Sequence, residues 1–167
     1  MANTYTLIAS STVGSGGQAS ISFSSIPSTY TDLVIEMSLR STVGAGYAPI
    51  SLNGSTSNFT ARTIYGNGSS ASSGNRTDSI IQGINTISTT TTNIFSSFQM
   101  YIPNYAGSTN KSFSIDTVTE DNATGNEMMM YAGLWSNTAA INAFSVACTG
   151  GNFAQYSTAY LYGVRNS

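Results

Sequence analysis

The sequence predicts an all-β protein: an antiparallel two-sheet sandwich, jelly-roll-like, of about ten short strands in one domain spanning residues 1–167. Three observations predict it. Apolar and polar residues alternate at period two along most of the chain, as on strands with one dry face. No stretch keeps apolar residues at helical spacing for three turns. Clusters of Gly, Asn and Pro recur between the alternating segments, where hairpins need turns.

In chain order, Tyr5, Leu7 and Ala9 alternate with Thr6, Ile8 and Ser10 to give a first strand, and residues 12–17 form a Gly-rich turn. Ile21, Phe23 and Ser25 share one face of a second strand, which Pro27 ends. Residues 31–40 give the clearest strand, with Leu33, Ile35, Met37 and Leu39 on one side and Val34, Glu36, Ser38 and Arg40 on the other. Further strands are expected around Ile50 and Leu52 and over 59–65, 79–84, 94–102, 111–119, 128–135, 141–148 and 157–164. Residues 66–77 are low in complexity and expected to be an exposed loop. Neither an interdomain linker nor a tandem repeat is visible.

The segment 127–135 departs from the pattern, because both of its faces are apolar. Met128, Met130, Ala132 and Leu134 line one, and Met129, Tyr131, Gly133 and Trp135 the other. A sheet in a two-layer fold has one dry and one wet face. Either a loop covers the second face, or a neighbouring subunit does. Met129, Tyr131 and Trp135 are the candidate subunit interface.

Composition excludes several function classes. Charged residues are only 7% of the chain, histidine is absent, and Ser, Thr and Asn make up about two residues in five. With 40% hydrophobic and 11% aromatic residues, this is a folding chain. A net charge of −2, with Arg40, Arg62, Arg76, Lys111 and Arg165 spread along the sequence, argues against nucleic-acid binding. No apolar run approaches the roughly 18 residues of a membrane span, and residues 1–11 lack the basic and apolar regions of a signal peptide. A single Cys148 allows no internal disulfide. These features predict a protein made and kept in a cytoplasm. Yet the surface is hydroxyl-rich in an extracellular way, with Asn-X-Ser/Thr triplets at Asn53 and Asn58 that read as chance in such a composition. A particle assembled in a host cytoplasm and released by lysis reconciles the two.

Without histidine, neither a Ser-His-Asp triad nor a Cys-His pair can be built, and Cys148 reads as a small core residue. Two G-x-G-x-x-A matches, at 14–19 and 66–71, precede no helix and read as turns. The carboxylates Asp32, Glu36, Asp78, Asp116, Glu120, Asp121 and Glu127 are the only material for a glycosidase pair. Glu120, Asp121, Asn122, Asn126 and Glu127 crowd one loop, without EF-hand spacing, and read as a solvated turn rather than a calcium site. The expectation is therefore no catalytic residue, no cofactor and no metal. Exposed aromatics are the remaining binding material, first in 101–105 and at Gln155 and Tyr156.

Several segments together resemble a family: residues 5–8, 21–27 and 30–35 at one end, 152–164 at the other, and Phe59-Thr60, 101–105 and 134–136 between them. They look like small virion-associated β proteins of tailed bacteriophages that decorate or cement the capsid. The resemblance spans nearly the whole chain but rests on strand-and-turn signatures without a site. It implies a non-enzymatic virion structural protein on the capsid exterior, a homo-oligomer with a trimer favoured, whose partner is the major capsid protein. Residues 1–10 are then a candidate anchoring strand or arm, with Tyr5 and Leu7 as candidate capsid anchors. The alternative is a tail or fibre module binding a host surface glycan through exposed tyrosines, and a carboxylate-dependent glycan hydrolase is a third reading.

Overall fold

A computed structural model describes residues 4–43, 48–77, 81–83, 93–120 and 127–165, with the backbone alone for 81–83. Among the described residues there are twelve strands and no helix. They are β1 (Tyr5–Thr12), β2 (Ser20–Phe23), β3 (Asp32–Leu39), β4 (Ala48–Leu52), β5 (Phe59–Gly66), β6 (Ala71–Arg76), β7 (Ile81–Gly83), β8 (Ser96–Ile102), β9 (Lys111–Thr119), β10 (Glu127–Trp135), β11 (Phe144–Ala147) and β12 (Thr158–Val164). Every named pairing is antiparallel.

The strands form an eight-stranded sheet, ordered β1-β12-β3-β8-β9-β10-β5-β6, and a four-stranded sheet, ordered β2-β11-β4-β7. Setting aside β5, β6, β9 and β10 leaves β1-β12-β3-β8 and β2-β11-β4-β7. That alternation of strands between two four-stranded sheets is jelly-roll order. The four remaining strands extend one sheet only.

Alternation positions the core. In β9 every second residue from Lys111 to Thr119 is buried and the others are exposed, and β8 behaves the same way. Leu33, Ile35, Met37 and Leu39 of β3 face Ile21, Phe23, Ile50, Leu52, Phe144 and Val146 of the smaller sheet within one apolar cluster. The aromatic end of that cluster is Phe59, Phe113 and Trp135. Phe59 stacks on Trp135 with 6.0 Å between ring centroids and meets Phe113 edge-on at 6.4 Å. Gly133 is opposite Phe113, and a Cβ there would lie 2.0 Å from the Phe113 ring, so glycine makes room for that ring.

Three local expectations are corrected. Residues 71–76 are an edge strand paired with β5, not a loop. Ladder hydrogen bonds need backbone groups and no particular side chain, and the turn before β6 is closed by Asn67, whose Oδ1 accepts from the N–H groups of Ser69 (3.1 Å) and Ser70 (2.9 Å). In β1 a bulge between Leu7 and Ala9 breaks the face shared by Tyr5, Leu7 and Ala9; Tyr5 and Leu7 point outward while Ile8 and Ala9 both pack toward the core. Ser25 takes a left-handed conformation (φ 55°) just after β2, so Ile26 is buried where Ser25 was expected.

Candidate docking face

The outer face of the eight-stranded sheet, turned away from the smaller sheet, collects the exposed apolar side chains. Among the described residues nine large hydrophobic ones are exposed, and eight of them are here: Tyr5, Leu7, Ile64, Tyr101, Val118, Met128, Met130 and Tyr160. Register makes them neighbours. One cross-strand row reads Tyr160–Glu36–Gln99–Asp116–Met130–Ile64 and the next Tyr162–Val34–Tyr101–Ser114–Ala132–Arg62.

Two clusters result. The aliphatic one is compact: Val118 lies opposite Met128, Met130 opposite Ile64, and the two methionines share a face of β10. The aromatic one lies toward β1. Tyr160 stacks on Tyr162 (6.4 Å, 25° between planes), and Tyr5 meets Tyr162 edge-on at 6.2 Å. Val34, although on the outer face, is buried between Tyr162 and Tyr101 in the row. Tyr101 donates its hydroxyl to Asp32 Oδ2 (2.8 Å), and Asp32 Oδ1 accepts from the backbone N–H of Asn104 (2.9 Å). The hydrogen bond to Asp32, with burial and the carboxylate's charge adding to it, pushes the Tyr101 pKa up.

Between the clusters the polar residues Glu36, Ser38, Ser97 and Gln99 line a shallow trough, bounded by Thr158 and Tyr160. Gln99 Nε2 donates to Glu36 Oε1 (3.3 Å). Short serine side chains between tall neighbours make the depression.

The candidate interface residues stand on the other side. Met129, Tyr131 and Trp135 are 8%, 4% and 1% exposed and belong to the protein's own core. They are therefore unavailable to a neighbouring subunit, and the outward residues of β10 are Met128 and Met130. The strand does have two apolar faces; the assignment of which one is open is reversed. Tyr5 and Leu7 are exposed on an edge strand, at 56% and 52%.

Other candidates are dispersed. Tyr105 is fully buried and donates to the carbonyl of Pro27, and burial raises its pKa. Tyr156 is exposed in a left-handed turn (φ 71°) just before β12. Cys148 is buried, with its Sγ 3.3 Å from Ser41 Oγ. Glu36 and Asp116 are on the outer face, whereas Asp78, Asp121, Asn122 and Asn126 lie outside the described residues. Among the described residues no group of three or more His, Cys, Asp or Glu could hold a metal ion.

Sequence reasoning missed Lys111. It is 1% exposed, and its Nζ donates to the carbonyls of Gly107 (2.7 Å), Thr109 and Thr138 (3.5 Å). Burial pulls its pKa below the ordinary lysine value. The signal was its place in the alternation Lys111, Phe113, Ile115, where a charge occupies an inward position.

No family model matches this chain, and neither a curated protein nor a solved structure matches it.

Proposed function

We propose that the protein is a non-enzymatic structural component of a tailed-phage particle, which decorates or cements the capsid exterior as an oligomer, with a trimer favoured. One observation carries the reading: among the described residues, eight of the nine exposed large hydrophobic ones lie on one sheet face. Exposed apolar clusters gathered on one face are a mark of protein–protein contact. Adhesion needs buried area and shape match, with no catalytic group, and many copies on a lattice turn a modest contact into firm attachment. Ile64, Val118, Met128 and Met130 are the contact residues in this proposal, in place of Met129, Tyr131 and Trp135. Tyr5 and Leu7 remain the anchors proposed for the capsid protein, because their edge strand leaves both side chains and backbone groups available.

The test is co-sedimentation of the purified protein with undecorated capsids of the phage that encodes it, with its mass in solution measured alongside. Saturable binding by an oligomer supports the proposal. A monomer that does not bind those capsids overturns it, and retention on the tail instead assigns the chain to a tail or fibre module.

A further inference from the structure

We infer that the trough over β12, β3 and β8 is a binding site for a neutral saccharide. The inference goes beyond the structural role proposed above: its site is the polar strip between the two apolar clusters, and it requires that the contacts proposed there leave that strip uncovered.

The trough is about two strand spacings, or about 10 Å, across. Its floor is set by Ser38 and Ser97, which are directly opposite each other, and by Glu36 and Gln99, the next pair along the same strands. One wall is the Tyr160 ring, held upright by its stack on Tyr162. Beyond Ser97 and Gln99 the rows continue to Val118 and Asp116 of β9.

This combination suits a sugar ring. Its C–H face packs on an aromatic ring, and its hydroxyls need paired acceptors and donors held in one plane. Gln99 and Glu36 supply them side by side, with the amide pinned by its bond to the carboxylate. Serine hydroxyls accept and donate at the floor.

Charge selects the class. The lining carries a carboxylate, Glu36, and no lysine or arginine. The guanidinium of Arg40, just past the end of β3, is engaged with the carbonyl of Ile94 (2.9 Å). A uronic, sialic or sulfated sugar would meet Glu36 without a countercharge, so neutral sugars are preferred.

The experiment is a glycan-panel screen of the intact protein, using neutral oligosaccharides of glucose, galactose, mannose and N-acetylglucosamine with hyaluronan and heparin fragments as acidic counter-probes. Calorimetry with the best neutral binder follows. The expected result is saturable binding of a neutral glycan, weakened about tenfold or more by Tyr160→Ala and by Ser97→Trp, which fills the trough. Ser22→Ala, on the outward face of the smaller sheet, leaves it unchanged. Ser97 is exposed, so its replacement keeps the fold and separates loss of binding from unfolding. Absence of neutral-glycan binding at millimolar concentration, preference for the acidic fragments, or binding undiminished in Ser97→Trp overturns the inference.

Discussion

The two outward faces of this sandwich obey the same pleat and differ in how much apolar surface they expose. On the four-stranded sheet, the outward row across β2, β11 and β4 is Ser22–Ser145–Ser51, closed by a 2.7 Å hydrogen bond between the Ser51 and Ser145 hydroxyls. On the eight-stranded sheet the outward rows carry Tyr160, Met130, Ile64, Val118 and Met128. A chain so rich in serine and threonine had ample means to cover both faces with hydroxyls. On the larger sheet, two apolar clusters flank the hydroxyls and amides of the trough. The apolar clusters are thus a property of particular positions, and exposed apolar area of this kind is the basis of the contact proposed above.

The sharpest way to break this comparison is to exchange inside and outside on β10. Trp135→Ala removes a fully buried ring stacked on Phe59 and is expected to cost about 3–5 kcal/mol in denaturant unfolding. Met128→Ser with Met130→Ser, on the opposite side of that strand, should change monomer stability by only about 0.5 kcal/mol per site while abolishing capsid co-sedimentation and self-association. If the double variant unfolds the protein, the outward assignment of these methionines is wrong.

Lys111→Met tests the buried end of β9. It leaves carbonyls of Gly107, Thr109 and Thr138 without their donor, and a loss of about 2–3 kcal/mol is expected by the same denaturant measurement. An unchanged midpoint would mean that the ammonium contributes nothing net.

Smaller effects separate the two outer faces. Ser145→Ala breaks one hydroxyl pair and should cost about 1 kcal/mol or less, with no effect on particle binding. On the aromatic side, the folded protein holds the Tyr101 phenol protonated against Asp32, so its pKa is raised above the ordinary value of 10.0. The stabilisation from this pair is complete below that value and is lost as pH rises through the higher folded-state pKa. Tyr101→Phe should therefore flatten the alkaline limb of a stability-against-pH curve. An identical limb in wild type and variant would remove the pair from the account.

The strand pattern was legible because side chains on half-buried strands announce their period. The expected segments 111–119 and 128–135 coincide with β9 and β10 to within one residue. The edge strand β6 was not legible, since Ala71–Arg76 carries no apolar alternation and is held by backbone pairing to β5. Nor was the orientation of β10. Both of its faces are apolar, so period two alone leaves the inward one undetermined, and a one-residue change of register reverses the answer. What decides it is pairing: Ile115 lies opposite Tyr131 and Phe113 opposite Gly133. Gly133 was the local cue, a residue without a side chain where the Phe113 ring needs space. The docking face was illegible for a related reason. It is assembled from β1, β12, β8, β9, β10 and β5, which strand order brings together from both ends of the chain.

The central claim is that the apolar outer face of the eight-stranded sheet is the contact surface. Electron cryomicroscopy of the native particle, at a resolution that places side chains, tests it most directly. The account predicts density on the outer capsid lattice with Ile64, Val118, Met128 and Met130 covered by a second copy or by the capsid protein, and with the Ser22–Ser145–Ser51 row of the smaller sheet outside the contact. A particle in which the serine row is the contact, with the methionines facing solvent, would contradict it.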